Sequence, residues 1–112
     1  MKRIELYTYE DATKDMEEGI CEEDAIIKKW ESIVDALIEI ENVALQITPY
    51  CEKYFDCEGC PITLFDYDCS HPMSIYNIFC TELKKLRIIT ESMLTTLYLV
   101  KRKIEKDREP FV

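Results

Sequence analysis

The sequence has few glycines and almost no histidine, and both shortages limit the chemistry it can support. Its 112 residues include two glycines, Gly19 and Gly59, and one histidine, His71. A loop that cradles phosphate groups needs closely spaced glycines, so this kind of nucleotide site is excluded. His71 would have to serve any Ser-His-Asp or Cys-His pair. Its place beside Pro72, at a predicted helix start, is more typical of a capping or solvent-exposed histidine.

The chain also lacks a surplus of basic residues. It has 14 Lys and Arg against 23 Asp and Glu, which gives a formal net charge of −9 at pH 7. Affinity for nucleic acid depends largely on cations that neutralise phosphates. We therefore expect no direct nucleic-acid binding, and we expect a protein partner instead.

No apolar run is long enough to cross a bilayer. The longest, from Ile88 to Val100, is interrupted by Glu91 and falls short of the roughly 20 residues that a spanning helix needs. The first twenty residues carry Glu10, Asp11 and further acidic residues where a signal peptide would be apolar. We expect no membrane association and a cytoplasmic location.

Side-chain amides are scarce, since Asn42, Gln46 and Asn77 are the only ones, while Glu, Lys and Ile are abundant. This bias is typical of proteins made at high temperature, and it predicts a thermophilic source. Intracellular disulfides, which are rare elsewhere, are common in hyperthermophiles. The expected compartment therefore does not decide between free thiols and disulfides.

Two segments have the apolar periodicity of long helices, and they predict an all-α fold with a single domain over residues 1–112. Helix A is predicted over residues 22–47 and helix B over 73–107, with Pro72 in the first turn of helix B. The apolar register of helix A is Ile26, Trp30, Ile33, Leu37, Ile40, Ala44 and Ile47, with a second stripe of Ile27, Val34, Ile38 and Leu45. The register of helix B is Phe79, Leu83, Leu86, Thr90, Met93, Leu97, Val100 and Ile104.

The two helices are predicted to form an antiparallel hairpin. This would place the basic run between Lys101 and Arg108 beside the acidic start of helix A and suit both helix dipoles. Two helices alone cannot bury two wide apolar faces, so we expect a homodimer that completes a helical bundle.

A short N-terminal element, residues 1–20, precedes helix A. Ile4, Leu6 and Thr8 alternate with polar or aromatic residues, which would suit a short strand pairing with residues 62–67. The stretch from Asp11 to Glu18 predicts a short acidic helix that ends at Gly19.

The connecting segment, residues 48–72, is a cysteine-rich knuckle. Cys51, Cys57, Cys60 and Cys69 match the ligand count of tetrahedral zinc or of a [4Fe–4S] cluster, and the Cys57-x-x-Cys60 pair can hold one ion from a single turn. One alternative is two disulfides among these four, with Cys21 and Cys80 as a third, in which case no cofactor is expected. The other is that the cysteines are unpaired buried thiols. Cys21 and Cys80 are expected to lie outside any metal site.

The run Cys57-Glu58-Gly59-Cys60-Pro61, with Cys51 upstream and Cys69 and Tyr76 downstream, resembles a motif of small cysteine-rich proteins of phages and archaea. Those proteins share Cys-x-Gly-Cys-Pro, flanking cysteines and a following tyrosine. The likeness covers residues 51–76. It implies a viral or mobile-element origin.

These features favour a protein that binds another macromolecule and catalyses nothing. The predicted partner surface has an aromatic part around the knuckle and an acidic part, and it comprises Tyr50, Tyr54, Tyr67, Tyr76, Glu17, Glu18, Glu22 and Glu23. The sharper hypothesis is a virus-encoded acidic inhibitor or adaptor that presents carboxylates in place of phosphates. The alternatives are a redox or metal-dependent protein using the cysteine knuckle, and a hydrolase using Glu31, Asp35 and Glu39 with a divalent ion.

Overall fold

The computed structural model describes residues 4–108, with the side chain of Arg108 left out. It consists of four α-helices and one 3₁₀ helix. These are α1 (Tyr9–Glu17), α2 (Glu22–Ala44), α3 (Pro49–Lys53), the 3₁₀ helix Pro61–Leu64 and α4 (Ile75–Arg108). Residues 4–108 contain no β-strand. The predicted all-α class is confirmed.

The start of α1 is set by a reciprocal cap. The Asp11 backbone N–H donates to Thr8 Oγ1 at 3.2 Å, and the Thr8 N–H donates to Asp11 Oδ2 at 2.9 Å. This capping box satisfies two N–H groups that a helix start leaves without partners. The predicted acidic helix is therefore present, and it begins two residues earlier than expected.

The predicted strand at residues 4–8 was wrong. These residues have no regular secondary structure, and the Tyr7 N–H donates to Ser32 Oγ on α2 at 3.0 Å. The segment thus lies against a helix instead of pairing with residues 62–67. The first three residues of the predicted N-terminal element lie outside the described part of the chain.

Helix α2 ends at Ala44, three residues before the predicted end of helix A at residue 47. Its last turn is closed by bonds from Leu45 N–H to the Glu41 carbonyl at 3.0 Å and from Gln46 N–H to the Val43 carbonyl at 3.1 Å. Pro49 occupies the first turn of α3, and Thr48 caps that helix. The first N–H groups of a helix have no partner within the helix, so a proline without an N–H is well suited to the start of α3.

Helix α4 begins at Ile75, two residues later than predicted, so Pro72 does not lie in its first turn. Ser74 is fully buried, and its Oγ accepts the Asn77 N–H at 3.0 Å and donates to the Cys69 carbonyl at 3.2 Å. Asp66 Oδ2 accepts the Ile75 N–H at 3.0 Å. The helix start is thereby tied to the loop that carries Cys69.

The chain divides into two compact units. Among the described residues, the first comprises 4–39 and 87–108, and the second comprises Ile40–Leu86. In the first unit the start of α2 contacts the end of α4, through Asp24 and Lys101. In the second unit the Tyr76 hydroxyl near the start of α4 donates to the Ala44 carbonyl at the end of α2, at 2.9 Å. Both contacts agree with the predicted antiparallel hairpin.

Each unit has a small buried core. The first buries Ala25, Ile27, Val34, Ala36 and Thr90, and the second buries Cys60, Ser74 and Leu83. The helix A register that was predicted to be buried is only partly so, because Ile26 and Ile40 are exposed while Trp30, Ile33 and Leu37 are half-buried. Within residues 4–108, no helix has the length and apolar character that crossing a membrane requires.

Candidate thiol and tyrosine pocket

The second unit contains a concave pocket of about 580 Å³. It is built from the end of α2, the connection to α3, the cysteine loop and the start of α4. It is lined by Ala44, Leu45, Gln46, Ile47, Thr48, Tyr50, Cys51, Tyr54, Cys57, Cys60, Ile62, Asp66, Cys69, Ile75, Tyr76 and Phe79. All four cysteines predicted as ligands therefore line one cavity, together with three of the four predicted tyrosines.

The loop turns sharply between Cys57 and Cys60. Cys57 and Gly59 both have positive φ, at 65° and 76°. This conformation is ordinary for glycine but uncommon for other residues, so the turn at Cys57 carries backbone strain. The turn is held by bonds from Cys57 N–H to the Tyr54 carbonyl at 2.7 Å and from Cys60 N–H to the Cys57 carbonyl at 3.3 Å.

The thiols of the pocket are not equivalent. Burial, followed by the negative charge of nearby acidic and thiol groups, raises the pKa of Cys57 and of Cys69. The Thr48 hydroxyl lies 3.4 Å from Cys51 Sγ, and its hydrogen bond to the sulfur lowers the pKa of Cys51. Cys51 is also exposed, whereas Cys60 is buried. Cys51 is therefore more readily ionised than Cys57 or Cys69, and it is the most exposed of the four thiols.

Among the described residues, no three His, Cys, Asp or Glu side chains are arranged to hold a metal ion, and all six cysteines are free. The four pocket sulfurs share a cavity without forming a ready ligand set. Cys21 is exposed on the first unit, and Cys80 is half-buried on α4. Neither lines the pocket.

Tyrosines form much of the pocket wall. The rings of Tyr50 and Tyr54 meet edge to face, with centroids 6.4 Å apart. Burial, with a hydrogen bond to Cys80, raises the pKa of Tyr76. Tyr67 does not line the pocket, and its ring stacks on His71 at 4.1 Å. His71 Nδ1 accepts the Met73 N–H at 3.0 Å, within the turn that precedes α4.

The acidic part of the predicted partner surface lies in the first unit. Glu17, Glu18 and Glu22 are exposed at the end of α1 and the start of α2, and Glu23 is half-buried. Glu23 makes further interactions within the structure. The exposed members are therefore those available to a partner.

The first unit has a cavity of its own, of about 570 Å³, which sequence reasoning missed. Glu31, Asp35 and Glu39 line it along one side of α2, and the Ile4–Tyr7 segment lines the other. Glu91 on α4 pairs with Arg87 at 3.1 Å. No metal-holding group is found here among the described residues either, so the geometry adds no support for a divalent-ion hydrolase.

A polar network in the first unit was also missed. The Tyr7 hydroxyl donates to Asp15 Oδ2 at 2.6 Å, and Lys28 Nζ lies 3.0 Å from the same oxygen. The Thr8-x-x-Asp11 capping box is the sequence signal from which this network could have been predicted. That motif begins α1 at Tyr9 and so places Tyr7 beside α2 instead of in a strand.

Comparisons with known proteins add no assignment, since no family model, curated protein or solved structure matches the chain. The pocket of the second unit and the exposed residues of each unit are therefore the features that bear on function.

Proposed function

We propose that this chain is a non-enzymatic protein-binding module whose pocket in the second unit receives an apolar or aromatic side chain of a protein partner. The observation that carries the proposal is the composition of the pocket wall. Tyr50, Tyr54 and Tyr76 line it together with Ile47, Ile62, Ile75 and Phe79. Tyrosines supply large contact areas at low entropic cost, and they are enriched where partners bind most tightly.

Exposure supports the same proposal. Ile47 is 72% exposed and Tyr50 is 46% exposed at the pocket edge. Large apolar side chains that line a concavity and remain open to water mark a surface that gains free energy when a partner covers it. An extended peptide with one aromatic or branched side chain fits a cavity of about 580 Å³.

The test uses a library of short displayed peptides selected against the wild-type protein. We expect peptides with a shared aromatic or aliphatic anchor, and we expect Tyr50→Ala or Ile47→Glu to weaken their binding by about tenfold or more. Tyr98→Ala is the matched control, because Tyr98 is 49% exposed on α4 in the first unit. Peptides that bind the pocket variants as tightly as the wild type would contradict the proposal.

A second candidate function uses the thiols, and the observation that favours it is the presence of Cys51, Cys57, Cys60 and Cys69 around one cavity. These sulfurs could take zinc or an iron–sulfur cluster if the loop closed around the ion, since thiolates are the preferred ligands of both. Anaerobic purification should then give about one zinc or four irons per chain. A denatured, unreduced sample without metal, whose mass is lower by the hydrogens of two or three disulfides, would contradict it.

A further inference from the structure

The cysteine loop of the second unit holds two thiols at the ends of one β-turn. Cys57 and Cys60 are the only two cysteines of the chain that lie three residues apart. The Cys60 N–H donates to the Cys57 carbonyl at 3.3 Å, which closes the turn. Gly59 is the third residue of the turn, and its φ of 76° is the positive value that a type II turn requires there.

This turn brings the two cysteine backbones within reach of a disulfide. The first and fourth Cα atoms of a β-turn lie less than about 7 Å apart, and a disulfide joins Cα atoms that are roughly 4.4 to 6.8 Å apart. The Cys57 N–H also donates to the Tyr54 carbonyl at 2.7 Å, and this bond helps to hold Cys57 at its positive φ of 65°. The loop therefore meets the backbone condition for a bond between Cys57 and Cys60.

Two further thiols line the pocket, but neither shares a turn with another cysteine. Cys51 lies in α3, where its sulfur is 3.4 Å from the Thr48 hydroxyl. The Cys69 carbonyl accepts the Ser74 hydroxyl at 3.2 Å, which ties that cysteine to the start of α4. In the described part of the chain, no turn hydrogen bond joins either of them to a second cysteine. The geometry therefore singles out the pair at the turn.

The two thiols of this pair differ in how open they are to a reagent. Both line the cavity of about 580 Å³, but Cys57 is half-buried, whereas Cys60 is only 8% exposed. Access to the sulfur is one of the factors that set the rate of thiol–disulfide exchange. A reagent that enters the cavity therefore reacts more readily with Cys57 than with Cys60.

We infer that Cys57 and Cys60 form a reversible disulfide by exchange with a low-molecular-weight disulfide such as oxidised glutathione. The Cys57 sulfur attacks the reagent and forms a mixed disulfide, which releases one molecule of reagent thiol. The Cys60 sulfur then attacks the Cys57 sulfur and releases the second molecule. The two protein thiols lose two electrons and two protons, and the reagent gains both as two thiols.

The size of the ring explains why this bond is reversible and not a structural staple. It encloses only the four residues of the turn, and the stabilisation that a disulfide gives increases with the length of the loop it closes. The bond also removes two of the four pocket sulfurs from any metal ion, since a metal needs free thiolates. The inference depends on the turn, and it does not depend on the partner proposed for the pocket.

The test incubates the full chain in glutathione buffers with an increasing oxidised fraction and then alkylates the remaining thiols. Cleavage after Asp and Glu places Cys51, Cys57, Cys60 and Cys69 in four separate peptides, so mass spectrometry identifies each linked pair. We expect the first internal bond to link the Cys57 peptide to the Cys60 peptide. Dithiothreitol should restore both free thiols.

Cys60→Ser and Cys69→Ser are matched variants, since each removes one thiol from the pocket wall. Cys60→Ser should leave glutathione attached to Cys57, because the second attacking thiol is gone. Cys69→Ser should form the internal bond as the wild type does. The wild-type peptide map decides the matter if Cys60→Ser fails to fold. A first bond from Cys57 to Cys51 or Cys69, or a wild type without an internal bond in any buffer, would overturn the inference.

Discussion

Lys101 Nζ lies 2.6 Å from Asp24 Oδ1, and this ion pair joins the end of α4 to the first turn of α2 in the first unit. The hydrogen bond from Lys101 lowers the pKa of Asp24, and the same bond raises the pKa of Lys101. Asp24 also suits the dipole of α2, since it lies in the first turn of that helix. The pair therefore fixes which ends of the two helices meet.

The first prediction concerns the pH dependence of this pair. A lowered Asp24 pKa contributes stability that is present above its ordinary value near 3.8 and is lost as the pH falls through the native value. A raised Lys101 pKa contributes stability that is present below 10.5 and is lost as the pH rises through the native value. Asp24→Asn should lower the melting temperature slightly at neutral pH, and less so at high salt.

Asp107→Asn is the control for this prediction, because Asp107 pairs with Lys103 at 3.4 Å within one helix and both side chains are well exposed. Its effect on the melting temperature should be smaller still. If both substitutions changed the melting temperature equally at every salt concentration, the ion pair between α2 and α4 would contribute nothing to stability.

The second prediction separates stability from partner binding in the acidic segment. Glu17, Glu18 and Glu22 are exposed, so replacing all three with Gln should leave the free energy of unfolding nearly unchanged. If these carboxylates act as a phosphate-like surface, the same change should abolish binding to a basic protein such as a histone mixture. Asp24→Asn should lower the stability slightly and leave binding to the basic protein unchanged. Retained binding by the triple variant would contradict the inhibitor hypothesis.

The long helices were predictable because their apolar residues recur at helical spacing over more than twenty positions. The packed side of α4 was predicted only in part. Leu83 and Thr90 are buried as expected, but Leu86 is exposed, and the half-buried Arg87 and Lys101 take part in packing instead. Arg87 and Lys101 are half-buried while their charged ends pair with Glu91 and Asp24, and apolar patterning of the sequence does not detect such residues.

The cysteine cluster was predictable for a different reason. Four cysteines fall within nineteen residues of one loop, so they converge once that loop folds into a compact unit. The differences among the four thiols could not be predicted from the sequence. They depend on the buried position of Cys60, on the positive φ of Cys57 and on the Thr48 hydroxyl beside Cys51, all of which are set by tertiary contacts.

The third prediction concerns Tyr7. Burial and the hydrogen bond to Asp15 raise the pKa of Tyr7 to about 12 from 10.0. Phenolate absorbance should therefore show an ionisation step near pH 12, and Tyr7→Phe should remove this step. Because the native pKa is raised, the stability contributed by the contact should be lost as the pH rises through about 12. Tyr9→Phe is the control, since Tyr9 is 85% exposed.

The fourth prediction concerns the small core of the second unit. Leu83 is 7% exposed on α4, so Leu83→Ala should cost about 2 to 5 kcal/mol through lost burial and the cavity left behind. Ile78→Ala removes a comparable side chain that is 46% exposed, and it should change stability by about 0.5 kcal/mol or less. Urea denaturation measures both. Similar losses would mean that the second unit has no core at Leu83.

The last prediction concerns the reactivity of Cys51, whose sulfur and backbone N–H both form hydrogen bonds with the Thr48 hydroxyl. The Thr48 hydroxyl donates to Cys51 Sγ at 3.4 Å, and the Cys51 N–H donates back to Thr48 Oγ1 at 3.4 Å. Both contacts depend on the hydroxyl, and its hydrogen bond to the sulfur lowers the pKa of Cys51 below 9.0.

Alkylation of Cys51, mapped by mass spectrometry across a pH series, should therefore have its midpoint below 9.0. Thr48→Val keeps the side-chain shape but removes the hydroxyl, so the midpoint should rise towards 9.0. Thr48→Ser keeps the hydroxyl and should keep the low midpoint. Cys21, an exposed thiol of the first unit, reports in the same molecules whether the substitution acts only locally. If the valine variant alkylates with the wild-type profile, the Thr48 hydroxyl does not tune Cys51, and the difference among the pocket thiols must come from burial alone.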